Sequence, residues 1–169
     1  MASIGIVYGS STGHTENVAK MLREQLGGKE AVGLFDASNA NPEKIAEFEK
    51  LILGCSTWGD GELQDDMDAF LGQLGNGFFA NKTVAIFGLG DQEEYGDFFV
   101  DAIGHIYERV TKDGGKVVGE WSTDGYAFDA SIAVKDGKFV GLALDEDNQD
   151  DLTEERLSKW VELIKPVLG

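Results

Sequence analysis

The chain has 169 residues, with 31 Asp and Glu against 14 Lys and Arg and a formal net charge of −17. A surface of that sign repels nucleic acid and anionic lipid, and it attracts basic protein partners. The single cysteine, Cys55, excludes an internal disulfide and any cysteine-held metal or iron–sulfur site within one chain.

In chain order, SIGIVYG (3–9) reads as a buried strand. HTENVAKMLREQLGG (14–28) follows as a helix, with Val18, Met21, Leu22 and Leu26 at helical spacing and glycines at its end. AVGLF (31–35) is a second strand. Residues 41–50 predict a helix with Asn41 as N-cap and Pro42 at its first position. LILGC (51–55) is the third strand, and a helix over 65–75 puts Met67, Phe70, Leu71 and Leu74 on one face. TVAIFG (83–88) is the fourth strand, 97–113 the fourth helix, and KVVGEW (116–121) the start of the fifth strand. Thr153 caps a last helix whose first turn carries Glu154 and Glu155, which suits the helix dipole.

Alternation of near-continuous apolar strands with helices implies α/β architecture: a doubly wound parallel sheet covered by helices on both faces. The length suits a single domain, 1–169. Residues 122–144 break the rhythm. KDGK (135–138) is a hairpin turn, so this segment predicts an antiparallel excursion that splits or extends the edge strand. There is no apolar run near 18 residues and no signal-peptide pattern, so a cytoplasmic location is expected.

In an open α/β sheet, ligands bind beyond the carboxyl ends of the strands, where the winding reverses. Three loops leave those ends. GSSTGHT (9–15) joins a strand end to a helix start, where unpaired N–H groups and the helix dipole accept an anion. Its hydroxyls can donate to phosphate oxygens. It carries no lysine, so GxxxxGK[ST] fails, and GxGxxG is absent. A monophosphate held by neutral donors fits best; a hydroxyl-rich cap without ligand is the competing explanation. STWGDGE (56–62) presents Trp58 between glycines, and GLGDQEEYGDF (88–98) presents Tyr95 in an acidic loop. Taken singly, each aromatic is better explained by ordinary packing. Together the three loops describe a site for a flat ring with a phosphate tail.

With these motifs the sequence resembles the flavodoxin family. GSSTGHT matches the family's phosphate loop, TWGDG the loop that supplies one flavin-stacking aromatic, and GLGDQEEYGDFF the loop that supplies the other. STDGYAFDASIAVKDGKFVGLALDEDNQ resembles the insertion of the long-chain subgroup. The resemblance implies a five-stranded sheet of order 2-1-3-4-5 and a tightly but noncovalently bound FMN. It implies that Ser10, Ser11, Thr12, Gly13, His14 and Thr15 surround the phosphate. Trp58 and Tyr95 would cover the two faces of the isoalloxazine. The backbone of Thr57, Trp58, Gly59, Asp60 and Gly61, together with Gly90 and Asp91, would meet the ring edge. His14 and Phe98 depart from residues common at those positions, and Phe98 is left out of the site.

The implied function is a low-potential one-electron carrier without catalytic residues or a metal. It would cycle between semiquinone and hydroquinone, in place of ferredoxin, and the Gly59–Asp60 peptide would accept a hydrogen bond from the one-electron-reduced ring. Implied partners are basic redox proteins, of ferredoxin–NADP reductase type and low-potential acceptors, met by a monomer. Acids crowd both ring loops: Asp60, Glu62, Asp65, Asp66 and Asp68 in 57–72, and Asp91, Glu93, Glu94, Asp97 and Asp101 in 91–101. The acidic block Asp145–Glu155 reads as a solvated face.

The alternative is an FMN-dependent NAD(P)H:quinone reductase on the same fold, which this chain supports less because no basic residue stands near the ring loops. A phospho-receiver domain needs paired acids where GSSTGHT stands. His105 reads as a packed or solvent-facing helix residue, Cys55 as a small buried hydrophobe, Trp121 and Trp160 as core or helix-face residues, and Asp36 carries little weight as a ribose-binding acid.

Overall fold

The computed structural model describes residues 3–58 and 60–168. Strand β1 (Ile4–Gly9) leads into helix α1 (His14–Gln25), then β2 (Val32–Asp36), α2 (Pro42–Ala46) and β3 (Lys50–Trp58). A short β4 (Glu62–Leu63) folds back antiparallel on Thr57 and Trp58. Next come α3 (Asp65–Gly72), β5 (Thr83–Leu89), α4 (Asp101–Lys112) and β6 (Lys116–Val118). The excursion holds β7 (Trp121–Ser122), β8 (Val134–Lys135) and β9 (Lys138–Phe139). The chain closes with β10 (Leu142–Leu144) and α5 (Thr153–Leu168).

The main path of the sheet runs β10-β5-β3-β1-β2, all parallel. The edge is divided, as the hairpin signal implies. β6 pairs the first half of β5, Thr83 with Lys116, and β10 pairs its second half, Leu144 with Leu89. Between them β7, β9 and β8 form a separate antiparallel sheet. Counting the divided edge as one strand gives the expected 2-1-3-4-5 order. Gly141 is the point of re-entry: a Cβ there would lie 2.0 Å from the Ile86 carbonyl oxygen, so only glycine lets the chain approach β5.

The sheet is apolar on both faces, because each is covered. On one side Val18 and Leu22 of α1, with Leu26 at its C-cap, pack with Leu157, Trp160 and Ile164 of α5 over Ile6, Ile52 and Phe87. On the other, Met67 and Phe70 of α3 and Ile103, Ile106 and Val110 of α4 cover Val7, Leu53 and Ile86. Each fully buried Leu, Ile or Phe contributes about 1.5–3 kcal/mol. No helix among the described residues is long and apolar enough to cross a membrane.

The helices expected over 14–28 and 65–75 end at Gln25 and Gly72, and two others differ more from their expected spans. α2 stops at Ala46 rather than 50. The Lys82 ammonium donates to the Ala46 and Phe48 carbonyls at 2.8 and 2.6 Å, closing the helix, and Lys50 already pairs with Ile4 in the sheet. The expected helix over 97–113 begins only at Asp101, after a 3-10 turn at Gly96–Phe98. There Phe99 donates to the Ala130 carbonyl and Val100 takes a left-handed φ of 47°, so the excursion breaks the helix.

Candidate functional site

The carboxyl ends of β1, β3, β5 and β10 open onto one cleft of about 290 Å³. Its floor comes from β3 and β5, its walls from loops.

The 9–15 loop is shaped from within. Gly13 takes a left-handed φ of 93° directly before α1, and its amide donates to Ser10 Oγ at 3.0 Å. Its carbonyl accepts from the Asn17 amide, the first hydrogen bond of α1. The first amides of α1 have no partner within the helix. Thr12, His14 and Thr15 line the cleft, and Thr15 is buried. Ser10, Ser11 and Gly13 belong to the loop without lining the cleft. From outside, the buried Gln64 side chain donates to Ser11 Oγ at 3.0 Å, and its oxygen caps α3 at the Met67 amide.

The 57–63 loop is tied to α4. Thr57 Oγ1 accepts from the Ala102 amide at 3.1 Å, filling an open donor of the first turn of that helix. His105, solvent-facing on α4, meets the Gly61 carbonyl at 3.0 Å through Nε2. Thr57 and Trp58 line the cleft; Gly61 is buried and Asp60 exposed, and neither lines it. Gly59 lies outside the described residues. The Trp58 indole N–H donates to Ser56 Oγ at 2.7 Å, which fixes the ring at the cleft with 44% of its surface exposed.

The third loop carries Gly90, Asp91 and Tyr95 into the lining, and Tyr95 is 49% exposed. Asp91 Oδ1 accepts from the amides of Glu93 (3.1 Å) and Glu94 (2.9 Å) and from Asn148 Nδ2 (2.7 Å). Partial burial pushes the Asp91 carboxyl up, but these three donors outweigh it and hold the group below the usual carboxylate range. Two large aromatic side chains thus stand half open to solvent in one cleft, where each loses apolar surface to water unless a flat group covers it.

The acidic block at 145–155 corrects the solvated-face expectation in part. Asp145 is fully buried, and Glu146 and Asp147 line the cleft. Ser56, Leu89 and Glu94 line it too, and sequence reading did not assign them. Glu146 and Asp147 follow the carboxyl end of β10, so the strand-end rule, applied to the re-entering edge strand, points to them. Phe98 is half-buried and does not line the cleft. Cys55 is buried, and its thiol is pushed up to about 12 by that burial, which leaves it unreactive at neutral pH. No group of three or more His, Cys, Asp or Glu side chains among the described residues could hold a metal ion.

A doubly wound α/β sheet with an anion-accepting helix start and an aromatic cleft at its switch point defines a class of mononucleotide-binding proteins. The flavodoxin family profile matches residues 6–160. A flavodoxin from Synechocystis sp. is 50% identical over 168 residues, 99% of each chain, and one from Helicobacter pylori is 49% identical over 165 residues, 98% of each. The crystal structure of Fusobacterium nucleatum flavodoxin bound to flavin mononucleotide superposes with a TM-score of 0.91 at 37% identity, covering 100% of each chain. The chain belongs to the flavodoxin family.

Proposed function

We propose that the chain, as one domain of the long-chain subgroup, carries single electrons on a noncovalently bound FMN between protein partners. The observation that carries this reading is the pair of half-exposed rings, Trp58 and Tyr95, in a cleft that ends on the hydroxyl-rich start of α1. The donor set fits FMN: neutral hydroxyls and amides for a monophosphate, two apolar ring faces and a backbone edge for the heterocycle. Bound FMN supplies one-electron redox chemistry that no side chain here offers.

The chain's own residues would do the rest. Ser10, Ser11, Thr12, His14, Thr15 and the amides opening α1 would take the phosphate, with Gly13 allowing the loop its turn. Trp58 and Tyr95 would exclude water from the ring faces, and the backbone of 57–61, Gly90 and Asp91 would hold the ring edge. Glu94, Glu146 and Asp147 at the cleft, with Asp60 and Glu62 nearby in the chain, raise the cost of adding negative charge there, which favours a low potential.

The charge is placed for docking. Segments 57–72, 91–101 and 145–155 hold 17 of the 31 acids and none of the 14 bases. The other 14 acids balance the 14 bases, so the whole formal excess of −17 sits in the strand-end segments that surround the cleft. Basic partners, of ferredoxin–NADP reductase type and low-potential acceptors, would be steered to the cleft rather than to the rest of the surface. A cytoplasmic setting and a monomeric state are part of this reading, and the free Cys55 thiol suits a reducing compartment. The quinone reductase is not favoured: among the described residues no Lys or Arg lines the cleft to meet a dinucleotide phosphate.

Two measurements test this. Apo-protein titrated with FMN is expected to quench flavin fluorescence at one equivalent, and an unquenched titration refutes the reading. Electron transfer to a basic reductase is expected to slow steeply between low and physiological salt, and a rate flat across ionic strength removes the steering.

A further inference from the structure

Asp145 is the first residue after β10 and is fully buried, outside the cleft lining. Its Oδ2 accepts from the Gln92 amide (3.2 Å), Gln92 Nε2 (2.7 Å) and Asn148 Nδ2 (2.9 Å). Its Oδ1 accepts from the amides of Asp147 (3.1 Å) and Asn148 (3.0 Å). No salt bridge reaches it among the described residues. Both buried carboxyl oxygens are therefore met by neutral N–H donors, the satisfaction that a buried polar group requires.

The donors come from two walls of the cleft. Gln92 stands at the head of the loop that carries Tyr95, and Asp147 and Asn148 form the loop that brings Glu146 and Asp147 to the rim. Asn148 Nδ2 also reaches Asp91 Oδ1 at 2.7 Å, so one amide group bridges both carboxylates. Gln92, itself buried, turns its Oε1 to the Ala127 amide of the excursion. Asp91 in turn caps the amides of Glu93 and Glu94, and its carbonyl accepts from the Tyr95 amide at 3.0 Å. An unbroken set of hydrogen bonds thus runs from Asp145 to the backbone of Tyr95.

We infer that Asp145 is a positioning residue that, through Gln92 and Asn148, sets the Tyr95 loop and the Glu146–Asp147 rim against the cleft. The consequence for ligand affinity rests on FMN being the cofactor; the consequence for loop order does not. If either partner is changed so that a donor or acceptor loses its match, the loop loosens and the Tyr95 ring is no longer held in place for its ligand.

The test uses Asp145→Asn, Gln92→Glu and the double variant in the full chain, with two readouts. One is FMN affinity by fluorescence quenching; the other is amide hydrogen exchange of the apo-protein at Glu93, Glu94 and Asn148. Gln92→Glu puts two carboxylates in contact and is expected to weaken FMN binding at least about tenfold, with faster exchange at those amides. Asp145→Asn sets amide against amide and is expected to weaken binding several-fold. In the double variant the carboxylate and amide trade places, and both readouts are expected to recover most of the loss of Gln92→Glu. Exchange at Gly13 and Asn17 in the phosphate loop is expected to stay unchanged throughout. Losses that simply add in the double variant overturn the inference, as does normal exchange at 93, 94 and 148 in both single variants. If Gln92→Glu does not fold, Asn148→Ala removes the bridging amide while leaving Gln92 and both carboxylates in place, and unchanged exchange and affinity in it overturn the inference equally. Should wild type leave FMN fluorescence unquenched while exchange follows the pattern above, the positioning role stands and only the cofactor assignment falls.

Discussion

The 9–15 loop and the Tyr95 loop leave the carboxyl ends of β1 and β5, on either side of β3 in the same sheet, yet they are built in opposite ways. Residues 9–15 are held mostly by themselves and by the helix they start: Ser10 Oγ receives the Gly13 amide, and the Gly13 carbonyl receives Asn17. One side chain, Gln64, braces the loop from elsewhere. The Tyr95 loop depends on distant chain. Asp145 and Asn148 hold its head, and the excursion holds its tail, with the Asp129 and Ala130 amides both donating to the Gly96 carbonyl at 2.9 Å. A helix start brings its anion-binding groups ready-made, so a phosphate site needs little support. A ring-gripping side chain has no such local scaffold, and the fold must supply one through tertiary contacts.

Substitution within each loop separates the two modes. Tyr95→Ala is expected to have the largest effect: loss of a stacking ring costs about 1–3 kcal/mol, or roughly fivefold to 150-fold in FMN affinity. Because the missing contact is to the ring, the loss should be nearly the same for riboflavin, and folding stability should hardly move for a side chain that is already 49% exposed. Gly13→Ala is expected to act the other way round. A Cβ at Gly13 meets nothing within 4 Å, so its cost is the left-handed backbone alone, about 1–2 kcal/mol. In a preformed loop that cost falls on folding, and thermal unfolding of the apo-protein should show it. If Gly13→Ala leaves stability alone and cuts FMN affinity instead, the loop is shaped by its ligand and the contrast with the Tyr95 loop fails.

The same contrast decides what could be read from the sequence. The 9–15 turn was legible because its signals are contiguous: a strand end, hydroxyls, a glycine and a helix start within seven residues. The parallel sheet was legible for a similar reason, since strands buried on both faces are apolar runs whatever their neighbours. The divided edge showed through the KDGK turn. What the sequence hid were the long-range bonds. Nothing near Ala46 announces that the Lys82 ammonium, 36 residues on, will close α2. Nothing at Phe99 shows that Ala130 will interrupt the next helix. Asp145 opens a run of acids that looks solvated throughout, and its donor Gln92 lies 53 residues away. Charge density is visible in a sequence; which member of a charged run goes inside is decided by partners that the run does not contain.

The smallest expected effect sits on the rim that Asp145 anchors. The Asp147 carboxyl is raised above its ordinary value, first by partial burial and then by the Asp91 and Asp145 carboxylates. The native chain therefore holds this proton more tightly than the unfolded chain does. The stability that the proton brings is fully present below the unfolded carboxylate pKa, and it is lost as pH rises through the folded one. At neutral pH an ionised Asp147 thus costs stability, whereas the neutral hydroxyls of the phosphate loop carry no such penalty. Asp147→Asn is expected to stabilise the apo-protein at neutral pH, by less than about 1 kcal/mol because solvent screens an exposed carboxylate. Thermal unfolding followed from neutral pH downward should show that advantage shrinking through the carboxylate range, where wild type regains the proton. An advantage that grows on acidification would mean that the rim acids stabilise the loops they line, and the two sides of the cleft would then differ in scaffold but not in electrostatic cost.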